Sequence, residues 1–496
     1  MSAPPRPPFR FPWLPSLLLL GVALGGVWAW RRHSAPAVFR VLLLDPVLES
    51  GAALDAHEGA ALNRLVKDQL EVVAGASVSQ TLGLPDSAER SGLRKDALVL
   101  RLAPRRSGSR LDLRASWAWA AELQQAAAWH RLESGGEIPS QALDDLLQGL
   151  PLPGRKTPAA PLIPRHAAAF WNYLAARGGA PGAEYARARE LLEASAAAEP
   201  DCASIPFALG ELEFFHALQS ATNDAESLRR AESLLQRGLE LFPRHPRGTW
   251  LMARLRTDTG SAKEALELLI EARRSHPGAV PLIIGLTYAG RYAGLLDFAA
   301  RAEGRSDELS ADSRQPLRLQ VTFLYGGQWD RYEKTLWTRP GDLGNSTVFL
   351  FRGQLQLARG DREKALEAFR AGAESPEGYA QFVRMARVFR LILEHDLPTA
   401  RAELDALAQS RVGLRVPDGE YILNIAEAYV LLGDLPRAQD LAEKAFYTGF
   451  TCARWYEANP LLRPLHGTPR WNALIQHVRE RQAILEARFP EGRWGI

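Results

Sequence analysis

Residues 426–445, AEAYVLLGDLPRAQDLAEKA, read as two short helices with apolar residues at three- and four-residue spacing, broken at Gly433-Asp434. Gly433 suits a left-handed cap at the end of the first helix. Asp434 suits a side-chain cap at the start of the second, and Pro436 falls in its first turn, where a missing amide hydrogen is harmless. Ala426, Ala438 and Ala445 stand where the two helices would touch, and Tyr429 fills the gap beside them. The fold turns on whether this is a lone hairpin or one copy of a repeat.

Gly360, Gly327, Gly294 and Gly260 precede Gly433 at intervals of 73, 33, 33 and 34 residues, the 73 being two periods with an altered copy between. In that copy His395 stands where the glycine would be. Pro243 and Pro277 repeat the 34-residue spacing, and a fixed period of this length with two helices per unit indicates a solenoid. Gly353, Gly360, Ala365 and Phe369 in one copy, and Ala426, Tyr429, Gly433, Ala438 and Ala445 in another, resemble the tetratricopeptide repeat pattern. Ser261 with Glu264 reads as a capping box. Looser copies surround Ala188, Leu192 and Pro200, and then Leu209, Gly210, Ala231 and Leu235, the second with an insertion near Ser220–Asp224. About eight units are expected, with the solenoid at 166–449.

After Gly449 the register is lost. Residues 450–496 read as capping helices, whose Arg479, Glu480, Arg481 and Gln482 cover the open end, and Pro460, Leu465, Pro469 and Trp471 resemble the cap that follows such repeats in TolB-type proteins. At the other end, residues 11–30 run from Phe11 to Trp30 without a charge, between Arg10 and Arg31. At ~1.5 Å per residue they span about 30 Å, the hydrocarbon thickness of a bilayer, with Trp13, Trp28 and Trp30 near the interfaces. The expectation is a short polar head at 1–10 and a transmembrane helix at 11–30; the alternative is a cleaved signal peptide with Ala35-Pro36-Ala37 as its site. Arg6 and Arg10 on one side nearly balance Arg31, Arg32 and Arg40 on the other, so charge leaves the orientation open.

Between anchor and repeats, residues 38–151 change texture. VFRVLLLDPV reads as a strand, LDAHEGAALNRLVKDQLEVVAG as a helix, ASVSQ as a strand, Asp96–Trp119 as a hairpin about Ser107-Gly108-Ser109, AAWHRLE as a further strand and SQALDDLLQGL as a closing helix. This order, with VLLLDPV first and LNRLVKDQLEVVAGASVSQ following, resembles the TolB-type N-terminal domain of bacterial membrane-anchored repeat proteins. The resemblance implies a non-catalytic α/β module and an inner-membrane, single-pass protein with its bulk in the periplasm; a cytoplasmic bulk is the alternative. Residues 152–165 read as a linker. The fold expected is therefore mainly α: an N-terminal transmembrane helix, a small α/β domain, an α-solenoid and a C-terminal cap.

Lys plus Arg number 60 against 57 Asp plus Glu, so no bulk field attracts nucleic acid. Cys202 and Cys452 lie far apart with no metal, haem or disulfide spacing, and no histidine stands in a ligand motif; His245 and His276 sit beside prolines at repeat boundaries as turn residues. Phosphate-loop and nucleophile-elbow motifs do not occur. Glu190 and Glu193, or Glu264, Glu267 and Glu271, lie among arginines as ion-paired surface. No cofactor or enzyme activity is indicated. The chemistry expected is recognition of a protein or peptide in the solenoid groove, and the family's phase puts Trp250, Arg254, Tyr288, Arg291, Gln354 and Glu427 on that face. Trp250 has the alternative of packing between repeats. A small or cell-wall-related ligand is the other functional reading, and it requires a closed, polar-lined pocket where a scaffold requires an open groove.

Overall fold

The computed structural model describes residues 38–48, 54–81, 94–124, 129–152, 162–178, 185–219, 225–309, 321–336, 345–375, 379–414 and 418–490. The chain divides into two units, one of them Met1–Val38 with Gly495 and the other Phe39–Trp494 with Ile496. The transmembrane helix expected at 11–30 lies outside the described residues; among those described, no helix is long and apolar enough to cross a membrane.

The larger unit begins with a five-stranded sheet of order β2-β1-β3-β4-β5. Its strands are β1 (Arg40–Leu44), β2 (Ser77–Thr81), β3 (Leu98–Ser107), β4 (Arg110–Trp119) and β5 (His130–Gly136). The interior strand β1, RVLLL, is buried along its whole length, which explains a continuous apolar run in place of an alternating one. It pairs in parallel with β2 and β3, and β3-β4-β5 form an antiparallel meander. Helix α1 (Ala56–Val73) joins β1 to β2 and starts at a capping box in which Asp55 accepts from the Glu58 amide at 2.7 Å. The β3–β4 pairing ends at Ser107↔Arg110, so Gly108 and Ser109 form a two-residue turn, with Gly108 at φ 62°. A short α2 (Ala120–Gln124) and α3 (Pro139–Gly149) complete the module.

Eight helix pairs follow among the described residues. They are α4 (Ala167–Gly178) with α5 (Tyr185–Ala198), α6 (Ser204–Gln219) with α7 (Ala225–Leu241), α8 (Pro246–Asp258) with α9 (Ala262–Ser275), and α10 (Val280–Tyr292) with α11 (Leu296–Leu309). Next come α12 (Val321–Tyr325) with α13 (Trp329–Leu336), α14 (Ser346–Arg359) with α15 (Arg362–Glu374), α16 (Ala380–Leu393) with α17 (Leu397–Gln409), and α18 (Gly419–Leu431) with α19 (Leu435–Tyr447). Each pair packs on the next, which makes a tetratricopeptide-like solenoid. The connecting glycines are left-handed, with φ of 89° at Gly260, 76° at Gly294, 70° at Gly327, 82° at Gly360 and 77° at Gly433, and His395 takes the same conformation at 66°. Asp361 and Asp434 cap the following helices by accepting from the amides of Lys364 (3.1 Å) and Arg437 (3.3 Å). The capping box expected at Ser261 and Glu264 does not form: Ser261, at φ −105° and ψ 46°, makes no side-chain cap bond. With ψ at 46° its backbone has left the extended region from which an N-cap hydroxyl reaches the amides of the first turn.

The module and the first hairpins share one hydrophobic core, in which Val41, Leu62, Val66 and Leu98 cluster with Phe170, Leu174, Leu192 and Ile205. Leu162 and Ile163, at the end of the expected linker, are buried, and Gln69 donates to the Leu162 carbonyl at 3.4 Å. The described end of that stretch, from Leu162, is therefore packed against the module. A polar lock adds to it: Glu211 of α6 accepts from Arg177 (2.7 Å) and from Arg247 Nε (2.8 Å), while Arg64 of α1 donates to the Arg177 carbonyl. One face of β2 meets the end of α11, where Ser77 and Ser79 donate to the Leu309 carbonyl.

Beyond α19 lie α20 (Ala453–Ala458), a 3-10 turn (Pro460–Leu465) and α21 (Pro469–Arg488). This cap does more than cover an end. The Thr451 amide donates to the Tyr292 carbonyl at 2.8 Å, Arg488 pairs with Glu267 at 2.8 Å, and a side chain on Gly449 would collide with the Gly260 backbone. The rotation between hairpins accumulates until the last hairpin and the cap meet the third and fourth. The open concave face expected from the repeat family is thus closed by long-range contacts.

Candidate functional site

Arg254 and Asp258 lie one turn apart on α8, so both emerge on one face, and Tyr288, Arg291 and Tyr292 occupy the corresponding face of α10, the first helix of the next hairpin. Across from them, the last hairpin brings in Asp418 and Glu420. Asp418 caps α18, accepting from the Tyr421 amide at 3.1 Å with a left-handed backbone at φ 56°, and a helix N-terminus favours both carboxylates. Glu420 accepts from Arg291 Nε and Nη2 at 2.9 and 2.8 Å, a two-pronged ion pair that is buried on both sides. Burial opposes the Arg291 charge, but the Glu420 carboxylate outweighs it and the guanidinium pKa is raised. Tyr292 donates to Asp418, so three side-chain hydrogen bonds clasp the array shut across more than 120 residues of sequence.

Beside this clasp is a cavity of about 120 Å³ whose walls come from α8, α10, α14, α16 and the start of α18. One wall is apolar and aromatic, with Phe351, Tyr379 and Phe382; the others are charged. Tyr288 donates to Asp258 at 2.6 Å, and the Tyr288 and Tyr292 hydroxyl oxygens are 3.4 Å apart, which links Asp258 to Asp418 through two tyrosines. Burial, and then the nearby Asp418 carboxylate, push Asp258 up to about 7. The closest cation, Arg254, is 3.9 Å away and too far for a hydrogen bond. Arg411 donates to Gln381 at 2.8 Å and lies over the Tyr421 ring at 4.7 Å. The Nε atoms of both Arg254 and Arg411 are buried without an acceptor.

The six residues expected on the groove separate into three places. Arg254, Tyr288 and Arg291 meet at the cavity. Gln354 and Glu427 meet elsewhere, in a sealed polar knot: Gln354 Nε2 donates to Glu427 Oε2 (2.7 Å) and Asn424 (2.9 Å), and Asn459 donates to Glu427 Oε1 (2.6 Å). Glu427 is fully buried, which pushes its carboxyl up to about 8, so its expected position toward an open groove is corrected to the interior. Trp250 packs toward α10, where Gly285 leaves the room; a Cβ on Gly285 would lie 3.2 Å from its ring. It follows the alternative reading of packing between repeats.

Sequence reasoning missed Asp258, Arg411, Asp418 and Glu420. Asp258 stands 34 residues before Tyr292 and one turn after Arg254, a signal the period contained; Arg411, Asp418 and Glu420 reach the site only through the closure. His245 is a buried cap of α8, accepting from the Gly248 amide at 3.2 Å and lowered to about 3 by burial, in keeping with a turn residue. Among the described residues no group of histidine, cysteine and acidic side chains could hold a metal ion, and both cysteines are buried thiols. Glu190, Glu193, Glu267 and Glu271 pair with Arg187, Arg189, Arg488 and Arg274, as surface ion pairs do.

No protein-family model and no curated protein sequence matches the chain. Among solved structures it is similar to yeast Tom70, at 14% identity over 62% of this chain and 67% of that one, with a TM-score of 0.35. It is also similar to the Cut9–Hcn1 hetero-tetramer of APC/C (14%; 72% and 79%; 0.34) and to the TPR domain of P58(IPK) (12%; 63% and 96%; 0.17). At such scores these likenesses carry no weight, and the repeat architecture stands on the hairpins and left-handed caps of this chain itself.

Proposed function

We propose that this protein is a non-enzymatic, single-span membrane protein of a bacterial envelope whose module and repeat array bind other proteins and hold an assembly at the bilayer. The observation that supports it is the array of eight helix pairs among the described residues, an architecture that offers extended surface to partners. The apolar run at 11–30 supports the anchor, and the likeness of 38–151 to TolB-type modules supports a periplasmic bulk. Because the concave side is closed, the partner seat falls on the outer faces of the array, or on the inner face only after the clasp opens. Proximity labelling from the full-length chain in cells, compared with residues 1–37 joined to an unrelated folded domain, tests the reading: a partner set beyond that of the anchor alone is expected, and an identical set would overturn it. Carbonate-washed membranes should retain the chain, and recovery as a soluble form starting near Val38 would remove the anchor. Protease access in intact cells decides the side.

A second reading has an observation of its own. The charged, partly enclosed cavity beside the clasp is the kind of site a ligand-binding accessory subunit uses, although it lies within the solenoid and not between module and solenoid. In this reading ligand occupancy regulates a partner through the closure, since residues on both sides of the clasp line the cavity.

A further inference from the structure

The cavity walls carry charges of both signs that are incompletely satisfied. Arg291 and Glu420 form a closed pair, while Arg254 stands 3.9 Å from Asp258 on α8 as a loose ion pair without a hydrogen bond, and Arg411 and Asp418 complete the charged lining. The guanidiniums of Arg254 and Arg411 each have a buried Nε with no acceptor, and a buried donor of this kind is costly unless a ligand supplies the missing oxygen. The carboxylates of Asp258 and Asp418 face the opposite need. Neutral tyrosine hydroxyls are their side-chain donors, and the two hydroxyl oxygens stand 3.4 Å apart, so the carboxylates form a linked pair with no cation at hydrogen-bond distance. A lone anion would leave that pair uncompensated, and a lone cation would leave the guanidiniums so. The third element is the apolar wall of Phe351 and Phe382, which has nothing to offer a charge but can cover a short aliphatic group. At roughly 30 Å³ per water in the liquid, a space of about 120 Å³ equals about four waters, the size of a small amino acid.

We propose that this cavity binds a free α-amino acid with a small apolar side chain, its carboxylate held by Arg254 and Arg411, its ammonium by Asp258 and Asp418, and its side chain against Phe351 and Phe382. The proposal rests on the ligand-binding reading above and names its ligand class. The ammonium supplies Asp258 with the hydrogen-bonded counter-charge that Arg254, at 3.9 Å, is too distant to give. Entry is beside Arg254, whose side chain keeps 24% of its exposure. Because the ligand contacts come from α8, α14, α16 and the connection into α18, a bound amino acid bridges the third hairpin to the sixth, seventh and eighth and holds the array closed.

The test is titration calorimetry on the full-length chain in detergent with L-alanine, L-valine and L-leucine, and with the N-acetyl and carboxamide derivative of each. Saturable binding of at least one free amino acid is expected, weakened about tenfold or more by either blocking group. Asp258→Asn and Arg254→Gln should each weaken it by a similar factor. Leu268→Ala, on an exposed position of α9, should leave it unchanged, and each variant's melting curve reports its folding. Binding of the N-acetyl or carboxamide form as tightly as the free amino acid would overturn the zwitterion while leaving a small-ligand site. Absence of saturable binding by all the free amino acids up to about 10 mM, in a chain that melts cooperatively, would overturn the proposal. A changed melting temperature with isobutyrate or isobutylamine but with none of the amino acids would overturn it too and keep the ligand reading alive.

Discussion

At the scale of single residues, two positions carry strain that can be measured. His395 holds the left-handed conformation that glycine takes in the neighbouring hairpins, at a cost of about 1–2 kcal/mol for a residue with a Cβ, partly balanced by the chain entropy that glycine loses on folding. His395→Gly should therefore stabilise the array by about 0.5–1 kcal/mol, read as a higher urea midpoint at unchanged slope. Glu427 is the other. Its carboxyl rises from about 4.5 to about 8 on folding, chiefly through burial, so between those values the folded chain binds a proton that the unfolded chain has lost. The stability from this proton is complete below about 4.5 and is lost as the pH climbs through 8. Glu427→Gln keeps the shape of the knot and cannot ionise. Relative to the parent chain it should gain about 4 kcal/mol between pH 5 and pH 9, and parallel pH profiles for the two would show that Glu427 is not the buried proton site.

At the scale of elements, the junction between α10 and α18 decides whether the solenoid is open or closed. Removing one member of a buried ion pair leaves the other uncompensated, so Arg291→Ala should destabilise the closed form by about 3–5 kcal/mol. Arg291→Met with Glu420→Leu should recover most of that, because no charge is then stranded. Fluorophores on residues 267 and 488 report the outcome directly: the single variant should lengthen their separation, and the double variant should restore it. An unaltered distance in the single variant would mean that the Thr451–Tyr292 and Gly260–Gly449 contacts close the array without the clasp. The lock at Glu211 is a second junction of the same kind, with two arginines on one carboxylate between α4, α6 and α8.

At the scale of the whole molecule, module and repeats behave as one folding body, since Phe170 and Leu174 of the first hairpin lie in the same core as Val41 and Leu62 of the module. A fragment starting at residue 162 would expose that core. It should aggregate or elute as a swollen species on gel filtration, whereas the chain from residue 38 should elute as a compact one; an intact, monomeric fragment would show that the module is dispensable. The C-terminal cap is tied in likewise, because it covers the last hairpin and also fastens to the third and fourth.

What was legible in the sequence is what local chemistry encodes. The 33- and 34-residue spacing of left-handed glycines, the aspartate caps and the alternation about Gly108 each depend on a few adjacent residues, and they marked the hairpins of the array and the turn of the sheet. Even the odd member, His395, was visible as a departure from the period. The repeat phase also turned Arg254, Tyr288 and Arg291 to one side, because helical periodicity fixes direction. The tertiary structure alone decided what that side faces. Asp418 and Glu420 reach it from more than 120 residues away, by a rotation between hairpins too small to read in any one of them and decisive when summed over eight. Closure turned an expected open groove into a charged cavity, and turned Glu427 from a surface contact into a buried acid.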